Sequence, residues 1–428
     1  METQTCPNCG HENLARAVFC FQCGTRLEDP PIVRGLHHGQ RRVEDAMRYL
    51  QGREDALSPE VLQNLREVRA KLPPPMDGEP ISCLRCGTLN FPQASFCVGC
   101  GTALTLPEDI DTAPVRLVAR AAAHSDVGRM RENNEDRVGL WARGGVVLAL
   151  VADGMGGAAA GEEASRLAME AVQADFMGQP RGSEILDTLP DDEVSEKLRI
   201  AVRRANRAVI HRTSEHPEFQ GMGTTITLAF VRDRRATIVH VGDSRAYLVK
   251  TREGWINQIT DDHSFVEALL AAGHITPEQA AIHPMRNVLY RALGQFDDAD
   301  ADVYTRVLEE DDRLILCSDG LTRHVSAEEI AAIASENDDP DAIAKALIDL
   351  ANARGGQDNI SVVALIMERA TERDLAERPN PSLYDATEVG LYQAPVLDVE
   401  SMERKTLELP AIQLADQESS GETGEEDE

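Results

Sequence analysis

Five aspartates, most of them at the end of a short apolar run, mark the region from residue 115 to residue 368. One aspartate beside a glycine at a strand end is usually a turn former or a helix cap. Five in one region predict carboxylates that converge on one edge of a core, where they would repel each other strongly. Mg²⁺ or Mn²⁺ relieves that repulsion, because both ions prefer oxygen ligands. The five residues are Asp136, Asp153, Asp243, Asp319 and Asp358.

The apolar runs have the length of β-strands. They cover residues 146–151, 225–231, 236–241, 314–317 and 360–366, and helical spacing predicts helices at 161–176, 194–213, 327–335 and 341–353. Some strands follow one another without an intervening helix, as around Asp233. This order predicts an α+β fold, in which a mainly antiparallel sheet arrangement is covered by helices.

Eight of the nine cysteines form two copies of the pattern C-x2-C-x10-C-x2-C. Four thiolates at this spacing close a tetrahedral zinc site, and an all-sulfur site is structural; disulfides or buried thiols are the alternatives. The copies resemble the double zinc ribbons of many prokaryotic regulatory proteins, for which docking or folding is the expected role. Cys317 lies in an apolar run and is expected in the core. The predicted ligands are Cys6, Cys9, Cys20 and Cys23, then Cys83, Cys86, Cys97 and Cys100.

The formal net charge of the chain is −30 at pH 7. Binding to nucleic acid or to an anionic membrane needs a basic surface, so this charge argues against both. No apolar run is long enough to cross a membrane, and the start METQTCPNCG has no features of a signal peptide. A cytoplasmic, reducing compartment is therefore expected, in which thiolates are available to zinc.

Changes in composition divide the chain into six predicted segments. Two connector helices are expected at residues 43–50 and 61–72. The segments are a zinc ribbon at 1–30, a helical connector at 31–80, a second ribbon at 81–105, a linker at 106–115, the main domain at 116–370 and an irregular acidic tail at 371–428.

The main domain carries its motifs in the order of a known family. They are D-x-G-x-x-R-x-x-N-E-D ending at Asp136, V-A-D-G-M-G-G around Asp153, V-G-D-S-R around Asp243, C-S-D-G around Asp319 and G-Q-D-N-I around Asp358. From about residue 118 to residue 366 the chain resembles the metal-dependent protein phosphatases of the PPM, or protein phosphatase 2C (PP2C), family. The resemblance implies a PP2C-like β-sandwich of two antiparallel sheets flanked by helices, with a helical flap at residues 265–290.

The same resemblance implies a binuclear centre of Mn²⁺ or Mg²⁺. Asp153 and the carbonyl group of Gly154 would bind or bridge both core metals. Asp136 would hold one of them, and Glu135 would act through a bound water.

The resemblance places the remaining ligands in the later motifs. Asp319 and Asp358 would hold the other core metal, and Asp243 with Asp319 matches a weaker third metal site. Arg131 would grip the substrate phosphate with its planar fork of donors, and a structural salt bridge is the alternative role for it.

The leading hypothesis is a protein serine/threonine phosphatase that hydrolyses phosphoserine and phosphothreonine with a metal-activated water. Its expected partners are phosphoproteins, a serine/threonine kinase among them. Many bacterial relatives carry a histidine after the glycine-rich turn as proton donor, where this chain has Ala158. Metal-bound water is one candidate for the donor here, and His263 or His283 would be others if the fold brings them close. The alternatives are a catalytically weak PP2C-like scaffold whose ribbons dock partners, and a ribbon-directed nucleic-acid factor.

Overall fold

A computed structural model of the chain describes most of the main domain and short stretches of the two cysteine modules. Within those limits, no helix is both long enough and apolar enough to cross a bilayer. The predicted connector helices, the linker and almost all of the acidic tail lie outside the described residues. The described residues are 3–6, 12–14, 20, 81–84, 89–90, 94–97, 102, 104, 116–143, 145–177, 189–271, 275–276, 279–280, 282–296 and 299–371.

Two large antiparallel sheets form the main domain. Their strands are β5 Leu117–Asp126, β6 Asp136–Arg143, β7 Val146–Met155, β8 Gly223–Thr224, β9 Ile226–Arg232, β10 Arg235–Val241, β11 Arg245–Lys250, β12 Trp255–Gln258, β13 Asp302–Val307, β14 Asp312–Cys317 and β15 Ile360–Arg369. The first sheet has the order β13–β10–β9–β7–β6, with β8 paired to β7, and the second has the order β12–β11–β14–β15–β5. Two short hairpins lie in the cysteine modules, β1 Thr3–Thr5 with β2 Glu12–Leu14 and β3 Ile81–Ser82 with β4 Leu89–Asn90.

Helices cover the outer faces of both sheets. They are α1 Ala158–Met177, α2 Asp191–Glu215, α3 Phe265–Ala271, α4 Asp319–Thr322, α5 Ala327–Glu336 and α6 Pro340–Ala353. One apolar cluster joins α1 and α2 to the first sheet, a second lies between the sheets, and a third joins α5 and α6 to the second sheet. The result is a four-layer arrangement with a sheet-on-sheet core, which confirms the predicted sandwich.

The central strand β7 shows why the sequence contains unbroken apolar runs. Successive side chains of a strand point to opposite faces. Leu148 and Leu150 face the cluster with α1 and α2, whereas Val147, Ala149 and Val151 face the cluster between the sheets. Both faces are buried from Val146 to Ala152, and this part of the strand carries no polar side chain.

The strands and helices predicted between residues 146 and 366 are present, and the differences lie at their ends. Helix α2 begins at Asp191, three residues before the predicted start. Its first turn is acidic, and the negative charges stabilise the helix through the positive N-terminal end of its dipole. The start was predicted from the spacing of apolar residues, which acidic residues do not extend. Cys317 is fully buried in β14, as expected for a core residue.

The strands give the sandwich two distinct ends, called here the site end and the far end. The site end is where β7, β10 and β14 finish and where β6, β11 and β15 begin. The far end holds Arg235, Lys250 and Val307, which lie at the other termini of β10, β11 and β13, together with Asp312 at the start of β14.

A buried ion pair stabilises the far end. The Nζ of Lys250 lies 2.7 Å from the Oδ2 of Asp312 and 3.0 Å from the Oε2 of Glu309. The side chains of Lys250 and Asp312 are 1% and 4% exposed. Burial raises the pKa of Asp312 to about 6, against the lowering effect of Lys250.

Replacing Lys250 with methionine is expected to lower the free energy of unfolding by about 3–5 kcal/mol, because Asp312 stays buried without its cation. The folded-state pKa of Asp312 is raised, so its ionisation already costs stability as the pH rises through about 6. Losing Lys250 increases that cost, so the effect should be larger at about pH 8 than at about pH 5. Urea unfolding at both pH values measures it.

Lys345→Met is the matched control for this substitution. Lys345 pairs with Asp341 on the exposed face of α6 at 2.6 Å, and both side chains are solvent-accessible. Exposed pairs contribute about 0–1 kcal/mol, so equal losses in the two variants would contradict the importance of the buried pair.

Candidate active site

Asp136 and Asp153 lie directly opposite each other at the site end of the first sheet. They are paired residues in the antiparallel ladder between β6 and β7. Directly opposed residues share one face of a sheet, with Cβ atoms about 4.5–5.5 Å apart. The register of β6 and β7 alone therefore places the carboxylates of Asp136 and Asp153 side by side.

Three further aspartates reach the same place from the second sheet and its turns. Asp319 is the first residue of α4, Asp358 lies just before β15, and Asp243 lies between β10 and β11. Burial raises the pKa of Asp153 well above its ordinary value, and the charges of the other four aspartates raise it further. Burial likewise raises the pKa of Asp136 to about 7. The structure therefore brings all five predicted aspartates into one mutually repelling cluster.

Hydroxyl groups from the second sheet hold Asp136 in place. Ser318 Oγ donates to Asp136 Oδ2 at 2.8 Å, and the main-chain N–H of Ser361 donates to Ser318 Oγ at 3.0 Å. Hydrogen bonds from Ser361 and Ser318 lower the pKa of Asp136 without cancelling the effect of burial. These contacts link β6 to β14 and β15 across the sandwich, so no local pattern in the sequence reveals them.

Asn359 fixes the loop that carries Glu135. Its Oδ1 accepts from the main-chain N–H of Glu135 at 2.8 Å, and its Nδ2 donates to the carbonyls of Val127 and Asn133 at 2.9 Å each. Asn359 follows Asp358 in the motif, and that adjacency is the signal from which its role could have been predicted. Burial also raises the pKa of Glu135, which Arg131 lowers.

Gly154 lies where backbone segments approach closely. Its N–H donates to the carbonyl of Glu135 at 3.2 Å. A Cβ atom at Gly154 would lie 2.1 Å from the carbonyl oxygen of Gly161, and one at Gly161 would lie 1.9 Å from Glu135 Oε2. Both positions therefore require glycine, and the metal-binding role of the Gly154 carbonyl remains a prediction.

Two arginines pair with the aspartates of the second sheet. Arg131, 48% exposed, places Nη2 2.9 Å from Asp358 Oδ1. Arg323, 34% exposed, pairs with Asp319 and places Nη1 3.3 Å from Asp358 Oδ2. Arg323 was not predicted, although its spacing of four residues from Asp319 brings the two onto one helical face.

The donor chemistry of this cluster fits hard divalent cations. The carboxylates offer only oxygen ligands. Burial and then mutual repulsion raise the pKa values of Asp136 and Asp153, and Mg²⁺ or Mn²⁺ would offset both effects. In the part of the chain that the structure describes, no three Asp, Glu, His or Cys side chains are arranged to hold a metal ion. Arg131 pairs with Asp358, and Arg323 pairs with both Asp319 and Asp358.

The histidines considered as proton donors have other contacts. His263 is buried; its Nδ1 accepts from the main-chain N–H of Gly242 at 3.0 Å, and its Nε2 donates to Asp302 Oδ2 at 3.2 Å. Both ring nitrogens are thus engaged in supporting the turn before Asp243, which leaves none for a leaving group. His283 lies in the flap segment, where its Nδ1 accepts from the N–H of Met285 at 3.1 Å.

The cysteine modules are described only in part. The side chains of Cys6, Cys20, Cys83 and Cys97 are buried. Cys83 and Cys97 belong to the same buried cluster, which fits two ligands of one zinc ion. The other four predicted ligands, Cys9, Cys23, Cys86 and Cys100, lie outside the described residues.

Comparison with known proteins agrees with this fold. A sequence model of the family Protein phosphatase 2C matches residues 123–358. The serine/threonine protein phosphatase PstP of Mycobacterium tuberculosis is 41% identical over 251 residues, which is 59% of this chain and 45% of that protein. The chain therefore spans less than half the length of this relative.

Solved structures of bacterial phosphatases superpose on the main domain. The serine/threonine phosphatase of S. agalactiae has a TM-score of 0.53 and 33% identity, with 58% of this chain and 99% of that chain covered. The catalytic domain of PstP in complex with two manganese ions has a TM-score of 0.51 and 38% identity, with 59% and 99% covered.

The chain belongs to the protein phosphatase 2C family, because the family match extends over more than half of its length. A second match, to the double zinc ribbon, covers residues 6–101. The resemblance inferred from the motifs and the two-sheet fold are thereby confirmed.

Replacing Arg323 with alanine is expected to tighten Mn²⁺ binding by roughly tenfold, equivalent to about 1.4 kcal/mol. The Arg323 guanidinium pairs with Asp319 and Asp358, so it would compete with a metal ion for these carboxylates. Isothermal titration of the metal-free protein with Mn²⁺ measures the change.

Arg252→Ala is the control for the Arg323 variant. Arg252 pairs with Asp311 at 2.6 Å on the exposed surface of the far end. It should leave Mn²⁺ affinity unchanged, and unchanged affinity in the Arg323 variant would show that Arg323 does not compete with metal.

Proposed function

We propose that this protein is a metal-dependent phosphatase of phosphoserine and phosphothreonine residues in proteins. The observation that carries the proposal is the cluster of five aspartates at the end of a PP2C-type sandwich, in which the pKa values of Asp136, Asp153, Asp243 and Asp319 are raised. A site with this much negative charge accepts a dianionic phosphate only if cations lie between the carboxylates and the substrate.

The proposed residue roles follow from their positions. Asp136, Asp153 and the Gly154 carbonyl would hold the core metals with Asp319 and Asp358, Asp243 would hold a third, and Glu135 would act through water. When bound, a Mn²⁺ or Mg²⁺ pair supplies a water-derived nucleophile at neutral pH and shields the phosphoryl oxygens.

Arg131 is proposed to bind the phosphate of the substrate. Its half-exposed guanidinium lies at the rim of the cluster, where it now pairs with Asp358. Rotation away from Asp358 would let its fork of donors contact two phosphoryl oxygens at once. No titratable side chain occupies position 158, so the proton of the leaving group is proposed to come from water.

The proposed partners and location follow from this chemistry. Phosphoproteins are the substrates, and a serine/threonine kinase is proposed to be one of them. Zinc held by four thiolates in each ribbon fits a reducing compartment, so we assign the protein to the cytoplasm.

A catalytically weak scaffold is the second candidate function. It is favoured by the arginines that pair with Asp319 and Asp358 and by the alanine at position 158. A scaffold that binds phosphoproteins would not need filled manganese sites, so the Mn²⁺ stoichiometry of the protein, measured apart from its zinc, separates the two functions.

With Mn²⁺, the purified chain is expected to hydrolyse a phosphothreonine peptide, and Asp153→Asn should abolish the reaction. In metal-free protein the same substitution should raise the melting temperature by about 2–4 °C, because it removes one charge from a repelling cluster. The stabilisation that Mn²⁺ gives the wild type should be lost. Phosphate release and thermal unfolding with and without Mn²⁺ measure these effects.

Asp349→Asn is the control, since Asp349 lies on the exposed face of α6. It should change neither activity nor melting temperature. Wild-type protein that binds Mn²⁺ but releases no phosphate would refute the proposed activity, and a destabilised metal-free Asp153 variant would refute the repulsion.

A further inference from the structure

The second cysteine module is in direct contact with the phosphatase domain. The main-chain N–H of Val307, the last residue of β13, donates to the carbonyl of Leu84 at 2.6 Å. Leu84 directly follows Cys83, a predicted zinc ligand. A strand at the edge of the first sheet is therefore hydrogen-bonded to the cysteine module.

A side-chain contact joins the same module to the second sheet. Trp255, the first residue of β12, packs with Leu104 against the buried pair Cys83 and Cys97. Within the module, the N–H of Cys97 donates to the carbonyl of Thr102 at 2.7 Å and fixes the second knuckle. The indole ring thus packs beside the thiols that would hold zinc.

The two contacts lie on one open side of the sandwich. Strands β13 and β12 are the edge strands of the first and the second sheet. The opposite edge strands, β6 and β5, pack against each other, so β13 and β12 border the same side. Exposed strand edges promote edge-to-edge association, and proteins commonly cover them.

The contacts also lie at the far end of the sandwich. Val307 pairs with Arg235 at the start of β10, and that strand finishes at Val241, beside the turn of Asp243. Trp255 pairs with Lys250 at the far terminus of β11. Strands of this length span about 20 Å, which separates the module from the carboxylate cluster.

We propose that the second zinc ribbon is a structural cap of the phosphatase domain, seated across β12 and β13 at the far end. Its folding on zinc stabilises the open side of the sandwich, and it does not gate the active site. The surface formed by β12 and β13 at the far end is thus covered by a module of the same chain, the zinc-loaded ribbon around Cys83 and Cys97. This role of the ribbon does not depend on the proposed activity, because the surface and the site lie at opposite ends.

The test uses the full-length chain with Trp255 as reporter. The chain has two tryptophans, so a Trp141→Phe background leaves only Trp255 fluorescent. In this background, Cys83→Ser/Cys97→Ser disrupts the second ribbon. The matched control, Cys6→Ser/Cys20→Ser, disrupts the first. Zinc content, Trp255 emission and melting temperature are measured for both.

The second-ribbon variant should lose one zinc per chain, shift Trp255 emission to the red and melt about 4 °C or more below the background protein. The control should lose one zinc with neither change. Hydrolysis of p-nitrophenyl phosphate, measured well below the melting temperature, should stay within about twofold of the background, since only a gate would alter substrate access.

A third variant separates the contact from the folding of the ribbon. Val307→Pro removes the N–H that donates a hydrogen bond to the carbonyl of Leu84. Proline is tolerated where the N–H of an edge strand points away from the sheet. The variant should keep both zinc ions yet shift Trp255 emission to the red and lower the melting temperature. Unchanged Trp255 emission in the second-ribbon variant, an equal shift in the first-ribbon control, or severalfold activation by loss of the second ribbon would overturn the cap.

Discussion

The chemistry of the site end is set by the electrostatic repulsion among five aspartates, which the two sheets hold close together. The antiparallel register opposes Asp136 to Asp153, and the strand and helix termini of the second sheet add the other three. Hydrogen bonds from Ser318 and Ser361 leave the pKa of Asp136 at about 7. Serine hydroxyls therefore do not offset the cost of burial. Arg131 and Arg323 already form ion pairs with Asp358 and Asp319. The uncompensated negative charge is therefore greatest at Asp136 and Asp153.

Two buried histidines support the turn that holds Asp243. Burial, and then the nearby His263, lowers the pKa of His240 to about 3. Its Nε2–H donates to the carbonyl of Gly242 at 3.0 Å, while His263 accepts from the N–H of the same residue. Gly242 has a φ of +116°, a conformation that residues with a side chain rarely adopt. The rings of His240 and His263 thus hydrogen-bond the carbonyl and the N–H of Gly242 and so position the turn before Asp243.

Local patterns in the sequence predicted the strands, a mainly antiparallel arrangement covered by helices and the convergence of the five aspartates, because each depends on apolar periodicity or on residues beside a strand end. The sandwich of two sheets was implied by the family resemblance. Local patterns did not predict the ion pairs of Arg323 or the serine contacts to Asp136, which join residues more than 180 positions apart in the chain. His263 illustrates the same limit. It was a candidate proton donor in the sequence, and its neighbours in space give it a structural role. Cysteine spacing likewise predicted zinc ligands but carried no information about the surface on which the second ribbon is seated.

The sharing of Asp358 links metal binding to phosphate binding. Its two carboxylate oxygens face Arg131 and Arg323 at 2.9 and 3.3 Å. In the proposed site Asp358 would be a metal ligand, and Arg131 at the rim, released from Asp358, would be available to a phosphoryl group. A bound metal would then strengthen phosphate binding through its own charge and through the release of Arg131. Because binding couplings are reciprocal, phosphate must tighten metal binding by the same factor. An acidic protein with a formal charge of −30 can in this way bind a dianion only when its cations are in place.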